Sequence, residues 1–213
     1  MKDRTLLYII RHGETQWNIE GRWQGHLDSP LTPKGIKQAQ AVATTLTRYE
    51  FSTIYTSDLG RAFHTAEIIA AETKKPLVSD RRLREWNLGI FQGMTKAEMQ
   101  HQHADAFNAY QSADKDFVMP GGESVRQSCE RGINCLTELA REHTGDSIVI
   151  VTHGGILNGV FRHAVGLPLN VPRTFKLSNA SLNIFCVTND LWQLETFGDV
   201  THLRQVDVLD ELH

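Results

Sequence analysis

The chain has 213 residues, and its 22 Lys and Arg stand against 25 Asp and Glu, which gives a formal net charge of −3. This length indicates a single domain whose core buries roughly 70% of the unfolded surface. The slight acidic excess gives no sign of the basic face that a nucleic-acid or anionic-membrane binder needs, so we expect neither partner. Any anion that the protein handles must be met by locally placed cations.

The chain carries three cysteines and a short apolar run near its start. The cysteines are odd in number and lack Cys-x-x-Cys spacing, so we expect reduced core thiols and no disulfide or zinc knuckle at Cys129, Cys135 and Cys186. The apolar run covers residues 6–10, which is shorter than the about 7 to 15 residues of a secretory signal. No stretch approaches the roughly 20 apolar residues that span a bilayer. We expect a soluble, cytoplasmic protein.

Short apolar runs alternate with segments of helical periodicity, which is typical of an α/β fold. The predicted strands lie at residues 5–10, 51–56, 76–79 and 147–152, followed by a closing hairpin at 182–187 and 191–196. The predicted helices lie at residues 33–46, 59–72, 125–140 and 155–165. This order predicts a three-layer α/β/α sandwich, with a mostly parallel sheet and helices on both faces.

Residues 86–122 do not fit this alternation. The pattern there loosens into short helical pieces that are rich in Phe, Met, Trp and Tyr. We interpret the segment as a helical excursion or cap and not as a second domain. Residues 1–213 are therefore expected to form a single domain.

Polar residues mark the predicted helix starts. Thr32 is an N-cap followed by proline at the first helical position. Ser57-Asp58 is expected to cap the second helix. Ser124 with Gln127 forms a capping-box pattern before the third helix. In each case a side-chain oxygen would accept a hydrogen bond from an amide of the first turn.

Three predicted strands run directly into polar or charged segments. These segments contain Arg11 and His12, then Arg61, and finally His153. In an open parallel sheet the ligand crevice lies just outside the carboxyl ends of the strands, so we expect these side chains to converge. Each segment alone is typical of a solvated loop or turn. Their joint occurrence, each after a predicted strand, indicates a functional site.

Five motifs occur in the order typical of one known family. They are R-H-G-E-T-Q-W-N at residues 11–18, S-D-L-G-R-A-F-H-T-A at 57–66, L-R-E at 83–85, P-G-G-E-S at 120–124 and V-T-H-G-G at 151–155. With them the chain resembles the histidine phosphatase superfamily, which contains cofactor-dependent phosphoglycerate mutases and many small-molecule phosphatases. A weaker match to the family, G-D-V-T-H-L, lies at residues 198–203. The resemblance implies a phosphoglycerate mutase-like fold.

The resemblance implies that His12 is the nucleophile. A neutral imidazole can accept a phosphoryl group near pH 7 and so split hydrolysis into two transfers. Its other ring nitrogen must then donate to an acceptor, for which we expect a backbone carbonyl. By the same resemblance Arg11, Arg61 and His153 supply positive charge to the phosphate oxygens. Arg61 would be aided by the free amides in the first turn of its helix.

Glu85 matches the general acid of the family. It would protonate the leaving oxygen and then take a proton from the attacking water. Its carboxyl must be protonated at the start, and burial or the dianionic substrate is expected to favour that form. The residues alone favour another interpretation, in which Glu85 pairs with Arg81, Arg82 or Arg84.

The resemblance also implies secondary contacts to the phosphate or the substrate. These are expected at Asn18, Gln24, Gly25, Gly154 and His202. The other seven histidines have no motif support, and we expect solvent-facing or satisfied side chains at His26, His64, His101, His103, His143, His163 and His213.

A metal site is the competing interpretation of these residue types. It would use His12, His153, Glu85 and Asp58. However, no His-x-x-x-His pair on a helix face accompanies them, and the neighbouring arginines would repel a divalent cation. We expect no metal and no other cofactor.

Mutases and phosphatases of the superfamily share this core, so the segment after Glu85 has to separate them. In the mutase branch an Arg follows the catalytic Glu, and an Arg pair lies in a longer insertion. Here Trp86 follows Glu85, and between Trp86 and Val125 the only Lys or Arg residues are Lys96 and Lys115. We therefore expect a metal-independent phosphatase that forms a phosphohistidine. The alternatives are a cofactor-dependent phosphoglycerate mutase and a non-catalytic phosphate-binding or interaction module.

Two kinds of partner follow from this interpretation. The first is a small organic phosphate, from which inorganic phosphate is released. The second is another copy of the chain, because the closing hairpin leaves an edge strand where a homodimer could pair.

Overall fold

The computed structural model describes residues 3–112 and 114–209. Its strands are β1 (Arg4–Arg11), β2 (Thr53–Thr56), β3 (Leu77–Ser79), β4 (Ser147–Thr152), β5 (Leu182–Thr188) and β6 (Leu191–Asp199). They form one sheet in the order β3-β2-β4-β1-β5-β6. The first four strands of this order pair in parallel, whereas β5 and β6 are antiparallel to their neighbours. The prediction of a mostly parallel sheet is confirmed.

Helices cover both faces of the sheet, as predicted. The helices are α1 (Gln16–Ile19), α2 (Pro33–Leu46), α3 (Gly60–Thr73), α4 (Lys96–Gln102), α5 (Ala104–Gln111), α6 (Val125–Glu142), α7 (Gly154–Val165) and α8 (Thr201–Gln205). One apolar core joins α2 and α3 to one face of the sheet, and a second joins α6 and α7 to the other. Among the described residues, every helix is too short or too polar to cross a bilayer.

The two cores follow from side-chain alternation along the central strands. In β1, Tyr8 and Ile10 point into the α2/α3 core, whereas Leu7 and Ile9 point into the α6/α7 core. All four are buried. A strand covered on both faces reads as a continuous apolar run, which is why β1 and β4 could be recognised in the sequence.

The predicted caps are confirmed at two helices and wrong at the third. Thr32 accepts a hydrogen bond from the Gly35 amide at the start of α2, and Ser124 forms the capping box of α6. Helix α3 begins one residue later than predicted, with Leu59 at the N-cap and no capping side chain of its own. Its first amides, those of Gly60 and Arg61, instead donate to the carboxylate of Asp28. The helix is therefore capped by Asp28 from a distant loop and not, as we predicted, by Ser57-Asp58.

The segment after β3 builds a small apolar cluster of its own. Two short helices, α4 and α5, and a 3-10 turn at Gly89–Phe91 lie within it. The buried members of the cluster are Leu88, Phe91, Met99, Phe107 and Met119. The aromatic and methionine side chains of the excursion thus pack on one another. Trp86, Leu88 and Tyr110 of this segment line the same cavity as Arg11 and His12, at the carboxyl end of β1.

The closing hairpin is also confirmed. Asn189 and Asp190 form its two-residue turn, and both have positive φ angles, of 48° and 65°. This conformation suits the right-handed twist of the flanking strands and is tolerated by Asn and Asp. Strand β6 continues to Asp199, three residues beyond the prediction, and forms one edge of the sheet.

Candidate active site

His12 lies directly after β1, where its amide donates to Thr152 O of β4 at 2.9 Å. Its ring is buried, and Nδ1 lies 2.8 Å from Gly13 O. Because a carbonyl oxygen can only accept, Nδ1 carries the hydrogen and Nε2 keeps its lone pair. The expected backbone acceptor is therefore the carbonyl of the next residue.

The backbone around His12 is held by close packing against helix α2. A β-carbon at Gly13 would lie 2.5 Å from Gly35 O, and one at Gly35 would lie 2.0 Å from Glu14 O. Such distances leave no room for a side chain. The two glycines let the loop after β1 touch the start of α2, and this contact fixes the carbonyl that orients the His12 ring.

His153 lies beside His12 at the start of α7. The two ring centroids are 5.3 Å apart, and neither nitrogen of the fully buried His153 ring has a hydrogen-bond partner among the described residues. Burial lowers the pKa of both histidines well below 6.5, and the nearby Arg61 and Arg11 lower them further. A neutral His12 suits a nucleophile. For His153, burial beside two guanidinium groups favours the neutral ring as long as no anion is bound.

Arg61 is buried in the first turn of α3 and lines the central cavity. Its guanidinium donates to Leu27 O, Asp28 Oδ1 and Gly25 O, each at 2.8 Å. The Gly60 and Arg61 amides at the start of α3 also donate to Asp28. We predicted that these amides would be free to bind an anion, and that prediction is wrong. The cation at this helix start is the Arg61 side chain, held by the loop that carries Gly25.

Glu85 lies in the turn after the 3-10 helix Arg81–Leu83. Its carboxylate accepts two backbone hydrogen bonds, from the Trp86 amide at 2.8 Å and from the Gly155 amide at 3.0 Å. The alternative in which Glu85 pairs with a neighbouring arginine is wrong. Those arginines instead bind other acids, with Arg81 and Arg84 on Asp58, and Arg82 on Asp80 and Glu138.

Arg131 of helix α6 supports Glu85 and was missed in the sequence. Its guanidinium donates to the carbonyl oxygens of Arg82 (2.7 Å), Arg84 (2.9 Å) and Glu85 (3.2 Å) and pairs with Glu123 at 2.6 Å. A signal was present, because position 131 is three residues from buried Ser128 and four from buried Cys135. A charged residue bordering the buried face of a helix implies a specific partner.

Eight of the ten candidate residues line one cavity of about 590 Å³. Its wall includes Arg11, His12, Asn18, Gln24, Gly25, Arg61, Glu85 and Gly154. The buried ring of His153 does not line the cavity but lies beside the ring of His12, which does. The cavity wall does not include His202, whose Nε2 bonds to Ala180 O at 2.9 Å. Because the Ala180 amide donates to Arg11 O at 2.9 Å, His202 supports the backbone beneath the site. The predicted substrate contact at His202 is therefore not found.

Among the described residues, the other histidines do not line the cavity. His26 contacts the site from outside the cavity wall, because its Nε2 bonds to Glu85 O at 2.8 Å. His213 lies outside the described residues. No group of three His, Cys, Asp or Glu side chains in the described part of the chain could hold a metal ion.

The sequence matches the profile of the histidine phosphatase superfamily (branch 1) over residues 7–200. The chain belongs to this superfamily. It is 39% identical to phosphoglycerate mutase-like protein 4 of Arabidopsis thaliana, over 97% of this chain and 90% of the relative. It is 36% identical to the metal-independent phosphoserine phosphatase of the same plant, over 96% and 86%.

Solved structures of other proteins have a similar fold. The structure of Bacillus stearothermophilus YhfR superposes with a TM-score of 0.87 and 34% identity, over 93% of this chain and 99% of that protein. The phosphoglycerate mutase-like α/β fold is therefore confirmed.

Proposed function

We propose that the protein is a metal-independent phosphatase that hydrolyses a small-molecule phosphomonoester through a phosphohistidine on His12. The observation that carries the proposal is the Nδ1 contact of His12 with Gly13 O at 2.8 Å, which leaves Nε2 as a nucleophile. Arg11, Arg61 and Glu85 line the same cavity. The site thus combines a nucleophile, cations for the phosphate and a carboxyl group.

In the first step Nε2 of His12 attacks phosphorus in line, and the bond from phosphorus to the ester oxygen breaks. A protonated Glu85 gives its proton to that oxygen, and the alcohol leaves. In the second step a water attacks the phosphohistidine while the Glu85 carboxylate takes one of its protons. The nitrogen–phosphorus bond then breaks, inorganic phosphate leaves, and Glu85 is again protonated.

The other site residues stabilise the transferred group. Arg11 and Arg61 offer planar forks to its oxygens, and the fixed positions of these donors limit reorganisation during transfer. The unpartnered ring nitrogens of His153 lie beside the His12 ring, where a phosphate oxygen supplies the missing partner. A dianion there also opposes the effect of the two arginines on the pKa of His153.

Further contacts to the phosphate are proposed at Asn18, Gln24, Gly25 and Gly154. All four line the cavity. A β-carbon at Gly154 would lie 3.5 Å from Nε of Arg11, so its amide is close to the guanidinium. The buried Oε1 of Gln24 has no partner among the described residues, whereas Nε2 donates to Thr15 at 2.7 Å.

The similarity to a metal-independent phosphoserine phosphatase supports the phosphatase assignment. The segment after Glu85 supports it too, since Trp86 follows Glu85 where the mutase branch has an arginine, and Trp86 and Tyr110 of this segment line the cavity. The mutase alternative is tested with 3-phosphoglycerate and a trace of 2,3-bisphosphoglycerate. Isomer formation faster than phosphate release would assign a mutase instead.

The direct test is hydrolysis of p-nitrophenyl phosphate. We expect His12→Ala to abolish turnover and the acid-labile phosphoenzyme seen after rapid quenching. His64→Ala, which changes an exposed histidine, serves as the matched control and should keep both. EDTA should leave the wild type active, and inhibition that added metal reverses would refute the mechanism. A wild type without phosphatase activity would support the non-catalytic alternative.

A further inference from the structure

The cavity extends beyond the phosphate-binding end to a second set of cations. Lys115, Arg162 and Arg173 all line it, and we call these three residues the cationic wall. They come from the excursion, from the last turn of α7 and from the loop that follows α7. None of the three lies within a motif of the family, and no role was predicted for them.

Of these three residues, Arg162 is buried and held in place by hydrogen bonds. It is only 4% exposed, although a charged side chain is rarely so buried without an ionic partner. Nε donates to Asn158 Oδ1 at 3.0 Å, and Nη1 donates to Pro168 O at 2.6 Å. The ring of Phe175 lies 5.9 Å from the guanidinium carbon. These neutral partners orient the group but leave its charge unmatched.

None of the three wall residues forms an ion pair with a carboxylate of the described residues. Other cations of the cavity differ in this respect. Arg22 pairs with Glu20 and Glu98, and Arg61 pairs with Asp28. Of the described residues that line the cavity, Glu85 is the single acid. The far end of the cavity therefore keeps an excess of positive charge that a phosphate held at His12 does not neutralise.

The two cationic regions are separate. Gly154 at the start of α7 lies beside Arg11, and Arg162 follows eight residues later. At 1.5 Å per residue this is about 12 Å along the helix axis. Nε of Arg162 donates to Asn158, one turn nearer the helix start, whereas Nη1 donates to Pro168 O beyond the helix end.

We propose that the cationic wall binds a second anionic group of the substrate. The preferred substrate class is then a phosphomonoester that carries a carboxylate or a second phosphate across a spacer of several atoms. Trp23, Trp86 and Tyr110 line the cavity and give the spacer apolar contacts. This inference rests on the proposed phosphatase function.

The test compares two substrates that differ in one charge. 4-Carboxyphenyl phosphate and 4-carbamoylphenyl phosphate have nearly the same shape, but only the first carries a second anion. We expect the wild type to prefer the carboxylate in kcat/KM. Arg173→Gln should lower this preference roughly tenfold, because it removes a charged hydrogen-bond donor to the second anion, and one such bond is worth at least about a factor of ten in affinity. Arg162→Gln should lower it at least as much, whereas Arg173→Lys should retain part of it.

Arg141→Gln is the matched control, because it removes the charge of an exposed arginine that pairs with Asp190. It should leave the preference unchanged. A second arm compares 1,4-phenylene bisphosphate with phenyl phosphate. A larger preference for the bisphosphate, again lost in Arg173→Gln, would identify a second phosphate as the natural group. Thermal unfolding of each variant shows whether the buried Arg162 substitution leaves the protein folded.

The outcomes separate the two proposals. Hydrolysis of the neutral amide with no preference for either anion would overturn the cationic wall and leave the phosphatase assignment in place. A preference that survives both glutamine substitutions would overturn the assignment to these residues. Failure to hydrolyse any of the four compounds would contradict the proposed function itself.

Discussion

The amide of Gly155 donates a hydrogen bond to Oε2 of Glu85 at 3.0 Å, across 70 residues of sequence. The contact joins the start of helix α7 to the carboxyl group that we assign as general acid. It is also tight, because a β-carbon at Gly155 would lie 2.2 Å from Oε1 of Glu85. The position of Glu85 therefore depends on the absence of a side chain at Gly155.

Gly155→Ala should displace the Glu85 carboxyl group. General acid catalysis is typically worth about 10²- to 10⁴-fold in rate, so we expect kcat to fall about 10- to 100-fold with a smaller change in KM. Steady-state kinetics with p-nitrophenyl phosphate measure both. The double variant with Glu85→Gln is the control, because Gly155→Ala should add little once the carboxyl group is gone. Fully multiplicative losses would show that Gly155 acts elsewhere.

Arg131→Met should lower kcat without a comparable rise in KM. The substitution removes the donors to the carbonyl oxygens of Arg82, Arg84 and Glu85 and leaves Glu123 without its cation. We expect at least about a tenfold loss, since misplacing a catalytic group by an ångström can cost about 10²-fold. Arg126→Met on the same helix breaks only an exposed pair with Asp116 and should stay near wild type. Equal kcat in the two variants would remove Arg131 from this positioning role.

Asp28 should stabilise helix α3 from outside the helix. Asp28→Ala removes the acceptor for the Gly60 and Arg61 amides and also the carboxylate that pairs with the buried Arg61 guanidinium. Loss of the cap alone costs about 1 kcal/mol. In a chain of this size that lowers Tm by about 2 to 4 °C. Asp28→Asn keeps an acceptor oxygen for the amides but loses the charge that pairs with Arg61, so it should retain the capping part of the stability and have a higher Tm than Asp28→Ala. The Tm values of the two variants are compared by thermal unfolding. Equal Tm values for Asp28→Ala and Asp28→Asn would contradict the capping role.

Stability should fall as the pH drops below about 6.5, because both site histidines must stay neutral in the folded protein. The pKa values of His12 and His153 are lowered by burial and by the arginines, whereas the unfolded chain binds protons near 6.5. Below that pH the unfolded state takes up more protons, and each histidine costs up to about 1.4 kcal/mol per pH unit until its folded pKa is reached.

Urea unfolding between pH 7.5 and 5.5 measures this loss. His153→Asn should reduce the slope of the free energy of unfolding against pH, because one buried imidazole is removed. The exposed His64→Asn is the matched control and should keep the wild-type slope. Parallel pH dependences in all three proteins would show that the buried histidines do not control acid stability.

Much of the fold was readable because its signals are local. The apolar runs of β1 and β4, the Thr32 cap and the Ser124 capping box each involve residues within a few positions of one another. The Ser57-Asp58 cap failed for the opposite reason. The Ser-Asp pair before the helix is typical of a cap, but Asp28 from another loop accepts the hydrogen bonds of the first amides instead.

The sequence by itself determined the family, the order of the elements and the placement of Arg11, His12, Arg61 and His153 after strand ends. Periodicity, caps and motifs are properties of neighbouring residues, and parallel strands must gather their carboxyl ends at one edge. Only the tertiary structure decided which atoms meet. The bonds of Glu85 to Gly155 and Arg131, and the unmatched charge of Arg162, join segments far apart in the chain, and no local pattern specifies such contacts.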